Sequence, residues 1–341
     1  LDGVSTTAYF ADTFTLAEIK TLRAVQSRAG RSKAYDGLYT IPTLAEVIAL
    51  AKSAATSTGR SIGIYPEIKH STFHAGLFGA NVFEDKLVAA LHGAWGNSKS
   101  APVFIQSFEA ANLKQLRKLT ANKLVYLLDA NDVRPDGTID ANVPYDHVVA
   151  GDKRTYADML TPAGLKEIKS FADGIGPWKP YLISWQAMVD PKTGKAADVD
   201  GDKVVDQRDM TLIEPSDVVK NAHKLGLVVH PYTFRNESKH LAANFQDSPL
   251  EEYRAYFELG VDGVFTDYRH RTGRAPLAAK VSAVASKAKR LPSGSLFHVM
   301  QPLSARGQPA RRLPLSRLPS LRRLSRTSVP AGIYRPPWLA A

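Results

Sequence analysis

Residues 61–74 read SIGIYPEIKHSTFH, and this stretch decides the interpretation of the whole chain. The apolar run from Ile62 to Tyr65 has the composition of a buried β-strand. It stops at Pro66, and a carboxylate, an ammonium and an imidazole follow at once. In a parallel barrel, ligands bind at the carboxyl ends of the strands. The stretch therefore predicts a strand over 62–69 that carries a functional site at its end.

The same pattern, a short apolar strand with polar residues at its end, repeats along the chain. Five further strands are predicted at 103–109, 124–129, 173–179, 225–235 and 261–268. Helices are predicted at 14–23, 43–55, 82–94, 110–119, 162–171, 215–224 and 249–259. This alternation indicates an α/β protein with a parallel sheet. Because nearly every strand ends in polar residues, a (β/α)8 TIM barrel is favoured over an open sheet, where such residues concentrate at one point. Eight strands are needed, so the prediction lacks two.

Composition excludes several classes of protein. The chain contains no Cys, which excludes disulfide bonds and thiolate metal sites. No stretch reaches the about 18 consecutive apolar residues of a membrane span. Residues 1–267 hold 29 basic and 33 acidic side chains, whereas residues 268–341 hold 15 basic and no acidic ones. The net charge of +11 is therefore a property of the end of the chain.

Residues 291–341 form a tail of unusual composition. They include eight Arg and eight Pro but no Lys, whereas the preceding residues use Lys more than Arg. A basic tail can bind nucleic acid or an anionic membrane. Aromatic residues are sparse in it, however, and the abrupt change of composition favours out-of-frame translation. We expect a disordered tail and no nucleic-acid partner.

Glu67 and Lys69 are the first candidates for a functional site. They are two residues apart, so in a strand both point to the same face. A carboxylate there can bind a hard cation, and an ammonium can bind a phosphate oxygen. The alternative is an ordinary ion pair inside the barrel.

Other strand ends offer further candidates and leave alternatives open. Arg235 closes the HPYTFR strand, where it could hold a phosphate through two hydrogen bonds or pair with an acidic residue at the rim. Glu67 and Glu109 could instead be the two carboxylates of a glycoside hydrolase, which requires a separation of about 5–10 Å. A third alternative is a non-catalytic module that binds an anion through Lys69, Arg235 and the calcium-like loop at 198–209.

The segment 198–209, DVDGDKVVDQRD, resembles a calcium-binding loop. Ligand positions 1, 3, 5, 9 and 12 are occupied by Asp198, Asp200, Asp202, Asp206 and Asp209. Lys203 stands at position 6, where a Gly normally makes the turn, and position 12 is Asp rather than a bidentate Glu. The segment is either a second calcium site or a solvated acidic loop.

Seven motifs together resemble a known family. They are FTLAEIKTLRA, YDGLYTIPTLAEVIALAK, IGIYPEIKHSTFH, VFIQSFEAANLKQL, ADGIGPWK, VVHPYTFR and GVDGVFTDY. Their order is similar to that in the bacterial, periplasmic-type glycerophosphodiester phosphodiesterases, over roughly residues 13–268. The resemblance implies a (β/α)8 barrel and hydrolysis of deacylated phospholipids, such as glycerophosphocholine, to glycerol 3-phosphate and an alcohol. It also implies a Ca²⁺ or Mg²⁺ cofactor, a small-molecule substrate and a periplasmic or secreted location.

The resemblance also implies roles for individual residues. Glu67 matches the third metal ligand of the family, and Lys69 matches a residue that contacts the phosphate. Gln106, Phe108 and Phe265 match positions that line the substrate pocket. This would explain why the strand at 62–69 ends in charged residues.

Three motifs of the family do not occur in this sequence. They are the H-R-G motif with one catalytic His, the E-x-D pair of metal ligands, and the H-D motif with the second catalytic His. We therefore expect residues 1–268 to form a barrel without its first two strands, and the chain to be inactive or nearly so. Arg269 replaces the usual Pro after the TDY motif, as a frameshift would explain. A closing helix is predicted at 269–290, followed by the tail.

Overall fold

A computed structural model describes residues 1–268 and the backbone of 324–326. These residues belong to two compact units, one formed by residues 1–60 with 324–326, the other by residues 61–268. The predicted closing helix at 269–290 lies outside the described residues, as does the predicted tail apart from 324–326. Those three residues form a short strand, and the expected disorder of the tail stays a prediction.

The first unit contains two helices whose starts the sequence predicts well. Helix α1 (Leu16–Thr21) begins at Thr15 and helix α2 (Leu44–Thr58) begins at Thr43, each with the reciprocal hydrogen bonds of a capping box. Gly59 ends α2 in the left-handed conformation, with φ of 63°. A short strand, β1 (Thr6–Ala8), pairs antiparallel with Leu324–Arg326.

The second unit is built on a parallel sheet whose strands stand in sequence order. Four strands, β2 (Phe104–Ser107), β3 (Lys123–Leu128), β6 (Gly174–Pro177) and β9 (Val228–Val229), form its centre. Parallel bridges from Ile64 to Val103 and from Glu67 to Gln106 add the 62–69 segment at one edge. A bridge from Phe234 to Thr266 adds the last predicted strand at the other. All six predicted strand positions are thus confirmed, in the predicted parallel arrangement.

The predicted helices of this unit are also present. Described helices are α3 (Ser71–Phe78), α4 (Val82–Trp95), α5 (Ala110–Leu119), α6 (Tyr145–Ala150), α7 (Tyr156–Met159), α8 (Pro162–Lys169), α9 (Val218–Lys224) and α10 (Pro249–Leu259). None of the described helices is long and apolar enough to cross a bilayer. Between them lie two antiparallel pairs, β4 (Asp132–Val133) with β5 (Ile139–Asp140) and β7 (Trp185–Ala187) with β8 (Met210–Leu212).

Prolines shorten the strands relative to the prediction. The carbonyl of Pro66 accepts a hydrogen bond from the amide of Gln106 at 2.9 Å, but Pro66 has no amide hydrogen with which to continue the ladder. The predicted strand 62–69 is therefore reduced to two bridges. Pro231 interrupts the predicted strand 225–235 in the same way, since it too has no amide hydrogen to donate.

Both faces of the sheet are buried, as in other parallel sheets. One set of alternate residues packs outward under the helices, and it includes Ile105, Leu124, Tyr126, Leu128, Ile175 and Val229. The other set packs inward as a cluster of Phe104, Val125 and Leu127, with Tyr65, Phe108, Val228 and Tyr232 against it. The ring of Tyr65, on the first segment, lies 4.8 Å from that of Phe265, on the last. The sheet is therefore strongly curved, and its ends meet through their inward side chains.

Glycines on β6 make room for this interior. A Cβ atom on Gly176 would lie 2.6 Å from the side chain of Leu127, and one on Gly174 would lie 2.4 Å from that of Val228. Larger residues on β6 would displace the side chains of both neighbouring strands. The GIG sequence of this strand is therefore a packing requirement.

Candidate active site at the carboxyl end of the sheet

The side chains that face inward along each strand indicate which residues at the strand ends also face inward and can lie close together. Successive side chains of a strand alternate between its two faces. Since Tyr65, Phe104, Val125 and Val228 pack inward, the residues two and four positions further along their strands face the mouth of the barrel. That layer comprises Glu67, Lys69, Gln106, Phe108, Asp129 and Tyr232, whereas Leu127 and His230, which the same alternation selects, are buried below it.

Glu67 and Lys69 lie on the same face, as predicted. The ammonium nitrogen of Lys69 is 2.7 Å from Oε1 of Glu67 and 5.7 Å from the centre of the Phe108 ring. The side chain of Glu67 is 17% exposed, whereas that of Lys69 is 62% exposed. The carboxylate is therefore held inside the mouth, and the ammonium lies at its solvent side, where it can reach a ligand.

The carboxylate of Glu67 has the oxygen chemistry that Ca²⁺ and Mg²⁺ prefer. Around it, the described residues offer no second and third ligand atom close enough to complete a site. The one group of three potential ligands found in 1–268 is the acidic loop near residue 200. Glu67 thus fits the role of one metal ligand, although among the described residues it belongs to no group of three potential ligands within 4.8 Å of one another.

Gln106 and Phe265 both contact Tyr65. The amide nitrogen of Gln106 donates to the carbonyl of Tyr65 at 3.4 Å, and its Oε1 is buried without a partner among the described residues. Phe265 meets the Tyr65 ring edge-on. Gln106 and Phe108 therefore belong to the mouth layer, Phe265 contacts Tyr65, and Gln106 has an acceptor without a partner among the described residues. That these three residues line a substrate pocket stays a prediction.

Arg235 is placed differently from the other predicted site residues. Its Nε donates to Oδ2 of Asp267 at 3.3 Å. Burial lowers the pKa of Lys179 and of His240, and the positive charge of Arg235 adds to the lowering in both. Arg235 is therefore a rim arginine paired with an acidic residue, which is one of the two alternatives that the sequence left open.

Glu109 faces away from the mouth. Its carboxylate accepts hydrogen bonds from the hydroxyls of Ser71 and Thr72 and from the amide of Thr72, at the start of α3. Burial raises its pKa. Glu109 therefore anchors a helix N-terminus. The glycoside hydrolase alternative needs the carboxylates of Glu67 and Glu109 to flank the same glycosidic bond, and the structure does not support it.

Asp129 is a mouth residue that the sequence analysis missed. It continues the inward alternation of Val125 and Leu127, and its Oδ1 accepts a hydrogen bond from the Tyr232 hydroxyl at 2.9 Å. Burial raises its pKa, and the nearby charges of Lys69 and Glu67 act on it in opposite directions. The period of two in LVYLLD is the signal that could have found it.

His230 is buried beneath the mouth. Its Nδ1 lies 3.0 Å from the hydroxyl of Tyr65, and burial lowers its pKa to about 4. A neutral ring is therefore part of the packed interior. His230 therefore packs against Tyr65 and supports it from below the mouth.

We expect His230 to make the protein less stable in acid. Its pKa is about 4 when folded and 6.5 ordinarily, so the unfolded chain binds the proton more readily between these values. The contribution of His230 to the free energy of unfolding is complete above about pH 6.5. It falls by about 2–3 kcal/mol as the pH is lowered to about 4. Urea unfolding of the wild type and of His230→Gln, each at pH 7.5 and pH 4.5, measures this loss of stability. A variant with the same pH dependence as the wild type would contradict the assignment.

The acidic loop has much of the geometry of the predicted calcium site. Oxygen atoms of Asp198, Asp200 and Asp202 lie within 4.8 Å of one another. Lys203, at the position usually held by Gly, has the positive φ of 72° that this position requires. The guanidinium of Arg208 pairs with three carboxylates of the loop, those of Asp200, Asp202 and Asp206.

Asp209 is fully buried and accepts hydrogen bonds from the backbone amides of Val199 and Asp206. Its carboxylate thus closes the loop on itself, and the cation among the other carboxylates is Arg208. Calcium binding by Asp198, Asp200, Asp202 and Asp209 stays a prediction.

Comparison with known proteins decides the family. The sequence model of the glycerophosphoryl diester phosphodiesterase family matches residues 1–270. The chain belongs to this family. Its fold is a (β/α)8 barrel, and the parallel strands and helices described above are part of one.

Relatives bear the same name in plants and bacteria. A glycerophosphodiester phosphodiesterase of Arabidopsis thaliana, GDPD6, is 33% identical over 79% of this chain and 64% of its own length. The glycerophosphodiester phosphodiesterase of Haemophilus influenzae is 26% identical over 76% of this chain and 68% of its own length. A solved structure from Silicibacter pomeroyi, assigned to the glycerophosphoryl diester phosphodiesterases, has 18% identity and a TM-score of 0.45 over 80% of this chain and 68% of that one. This chain thus spans less than two thirds of the plant relative.

Proposed function

We propose that this chain acts on glycerophosphodiesters, with Glu67 as one ligand of a divalent cation, Ca²⁺ or Mg²⁺, and Lys69 as the phosphate contact. The reaction is hydrolysis to glycerol 3-phosphate and an alcohol. The observation that carries the proposal is the Glu67–Lys69 pair beside Phe108, at the carboxyl end of a parallel sheet of this family. The bound cation would neutralise the charge of the phosphodiester.

The mouth residues have distinct parts in binding. The exposed ammonium of Lys69 can leave Glu67 and donate to a phosphate oxygen. The unpartnered Oε1 of Gln106 can accept a hydrogen bond from a glycerol hydroxyl. Phe108 and Phe265 provide apolar surface for the carbon chain of glycerol. A phosphate and a polyol are thus held by neighbouring residues.

Turnover needs groups that are not in the sequence. Neither the H-R-G, the E-x-D nor the H-D motif occurs in it, so no acid–base pair of histidines is assigned. We propose that residues 1–341 bind glycerophosphodiesters weakly and hydrolyse them slowly or not at all. A purely binding role is the second candidate function, and it is favoured by the same lack of a histidine pair.

Lys69→Met is expected to weaken the affinity for glycerol 3-phosphate by about tenfold or more, because a charge-assisted hydrogen bond to the phosphate is lost. Calorimetric titration in Ca²⁺ or Mg²⁺, and again after chelation, measures this. The wild type should bind only when the cation is present.

Lys99→Met is the matched control. Lys99 is also paired with a carboxylate, that of Asp173 at 2.9 Å, and its side chain is 67% exposed, close to the value for Lys69. This variant should bind like the wild type. Equal effects of the two substitutions, or binding that does not depend on the cation, would refute the roles given to Lys69 and the metal.

We further propose that the protein belongs to the periplasmic-type subgroup and is periplasmic or secreted. The order of the seven motifs and the lack of Cys support this. Cell fractionation with an antibody against the chain tests it, and recovery in the cytosolic fraction would contradict it.

A further inference from the structure

A continuous series of contacts leads away from the proposed phosphate site. Lys69 lies over the ring of Phe108 at 5.7 Å, and that ring meets Tyr232 edge-on at 6.0 Å and 88°. The hydroxyl of Tyr232 donates to Asp129 at 2.9 Å. These residues lie on different strands of the sheet, all at the carboxyl end. A ligand with its phosphate at Lys69 would therefore extend past two aromatic rings toward a carboxylate.

Asp129 lies within the electrostatic reach of Lys69 but is not ion-paired with it in the described part of the chain. Among the described residues, no Lys, Arg or His forms a salt bridge with it, and the basic group nearest along the contact series, Lys69, pairs with Glu67. Its hydrogen-bond partners are the Tyr232 hydroxyl and the backbone amide of Ala130. A half-buried carboxylate without a counter-ion is costly unless a cation joins it.

We propose that Asp129, Tyr232 and Phe108 form a subsite for the alcohol end of the substrate and select alcohols that carry an ammonium group. This inference rests on the proposed function. Aromatic faces attract ammonium and quaternary ammonium groups, and a nearby carboxylate adds to that attraction. Gln106, Tyr65 and Phe265, which contact one another, present an amide and apolar rings, which suit uncharged glycerol.

Charge also favours a cationic alcohol. Glu67 and Lys69 neutralise each other, so Asp129 leaves this part of the mouth with one negative charge. A divalent cation and a phosphodiester would together add one positive charge at Glu67. An ammonium group on the ligand would pair with Asp129 directly, whereas a neutral polyol would leave that carboxylate without a counter-ion.

The test compares three glycerophosphodiesters that differ in the alcohol. Glycerophosphocholine and glycerophosphoethanolamine are cationic at that end, and glycerophosphoglycerol is neutral. Titration of the full chain in the presence of Ca²⁺ should give about tenfold tighter binding of the two cationic ligands. In Asp129→Asn, affinity for glycerophosphocholine should fall about tenfold, so that the preference disappears. The asparagine oxygen can still accept the Tyr232 hydrogen bond, so the fold should be retained.

Asp217→Asn is the control, since this carboxylate is exposed and remote in the sequence, on the loop before α9. It should keep the full preference. Equal affinities for the three ligands in the wild type would overturn the inference and leave the proposed function standing. An equal loss for all three in Asp129→Asn would overturn it as well, and would make Asp129 a metal ligand or a structural residue. Failure of the wild type to bind any of them would refute the proposed function itself.

Discussion

Lys179→Met is expected to lower the free energy of unfolding by about 3–5 kcal/mol. The ammonium of Lys179 forms an ion pair with Glu252, and the two side chains are only 5% and 2% exposed. Burial lowers the pKa of Lys179 and raises that of Glu252, while each charge opposes this change in the other. Removing one partner therefore leaves the other charge buried and unpaired. Urea denaturation at pH 7 measures the loss.

Two further variants show whether the loss of stability in Lys179→Met is caused by the unpaired charge of Glu252. Lys114→Met removes a more exposed ion pair, with Glu167 at 3.0 Å, and should change stability by no more than about 1 kcal/mol. The double variant Lys179→Met/Glu252→Leu removes both buried charges and should recover most of the loss. A double variant no more stable than Lys179→Met would show that packing, rather than an unpaired charge, was lost.

Glu67→Gln is expected to reduce hydrolysis by at least about a hundredfold. Replacing a residue that only orients a metal ligand lowers metal affinity or activity by about 10–100-fold. Replacing a ligand itself should lower activity by at least as much. The measurement requires a version of the protein that also carries the H-R-G, E-x-D and H-D motifs, supplied as an N-terminal segment from a relative. The introduced amide is isosteric with the carboxylate of Glu67 and can still accept from Lys69, so the thermal midpoint should not change.

The control for Glu67→Gln is Glu251→Gln, which removes an exposed carboxylate that pairs with Arg254 at 2.6 Å. Its activity should equal that of the unsubstituted protein. Raising the Ca²⁺ or Mg²⁺ concentration should partly restore Glu67→Gln, because the substitution weakens binding of the cation. Activity unaffected by Glu67→Gln would remove Glu67 from the metal site.

The sequence predicts the parallel sheet because its signals are local. Apolar runs that end in polar residues locate all six strand positions, and α5 and α10 have the predicted bounds. The capping boxes at Thr15 and Thr43 fix the starts of α1 and α2. Strand ends are less predictable, because a proline such as Pro66 breaks the ladder in a way that hydrophobic pattern does not show.

The residues that the sequence analysis missed depend on contacts far apart in the chain. The pairing of Trp185–Ala187 with Met210–Leu212 joins short strands about 25 residues apart, across a polar loop whose composition suggests no strand. Asp129 becomes a site residue only because Tyr232, about 100 residues further on, reaches it. Arg235 has the right residue type for a phosphate contact, but its partner, Asp267, is set by the neighbouring strand.

Release of glycerol 3-phosphate from glycerophosphocholine tests the central claim most directly. Residues 1–341 and the version that also carries the three motifs are assayed side by side, with Ca²⁺, with Mg²⁺ and after chelation. Our account predicts cation-dependent release by the longer version and little or none by residues 1–341. If neither protein releases glycerol 3-phosphate with either cation, a phosphodiesterase site at Glu67 and Lys69 is contradicted. Ligand binding without turnover would then be the remaining candidate function.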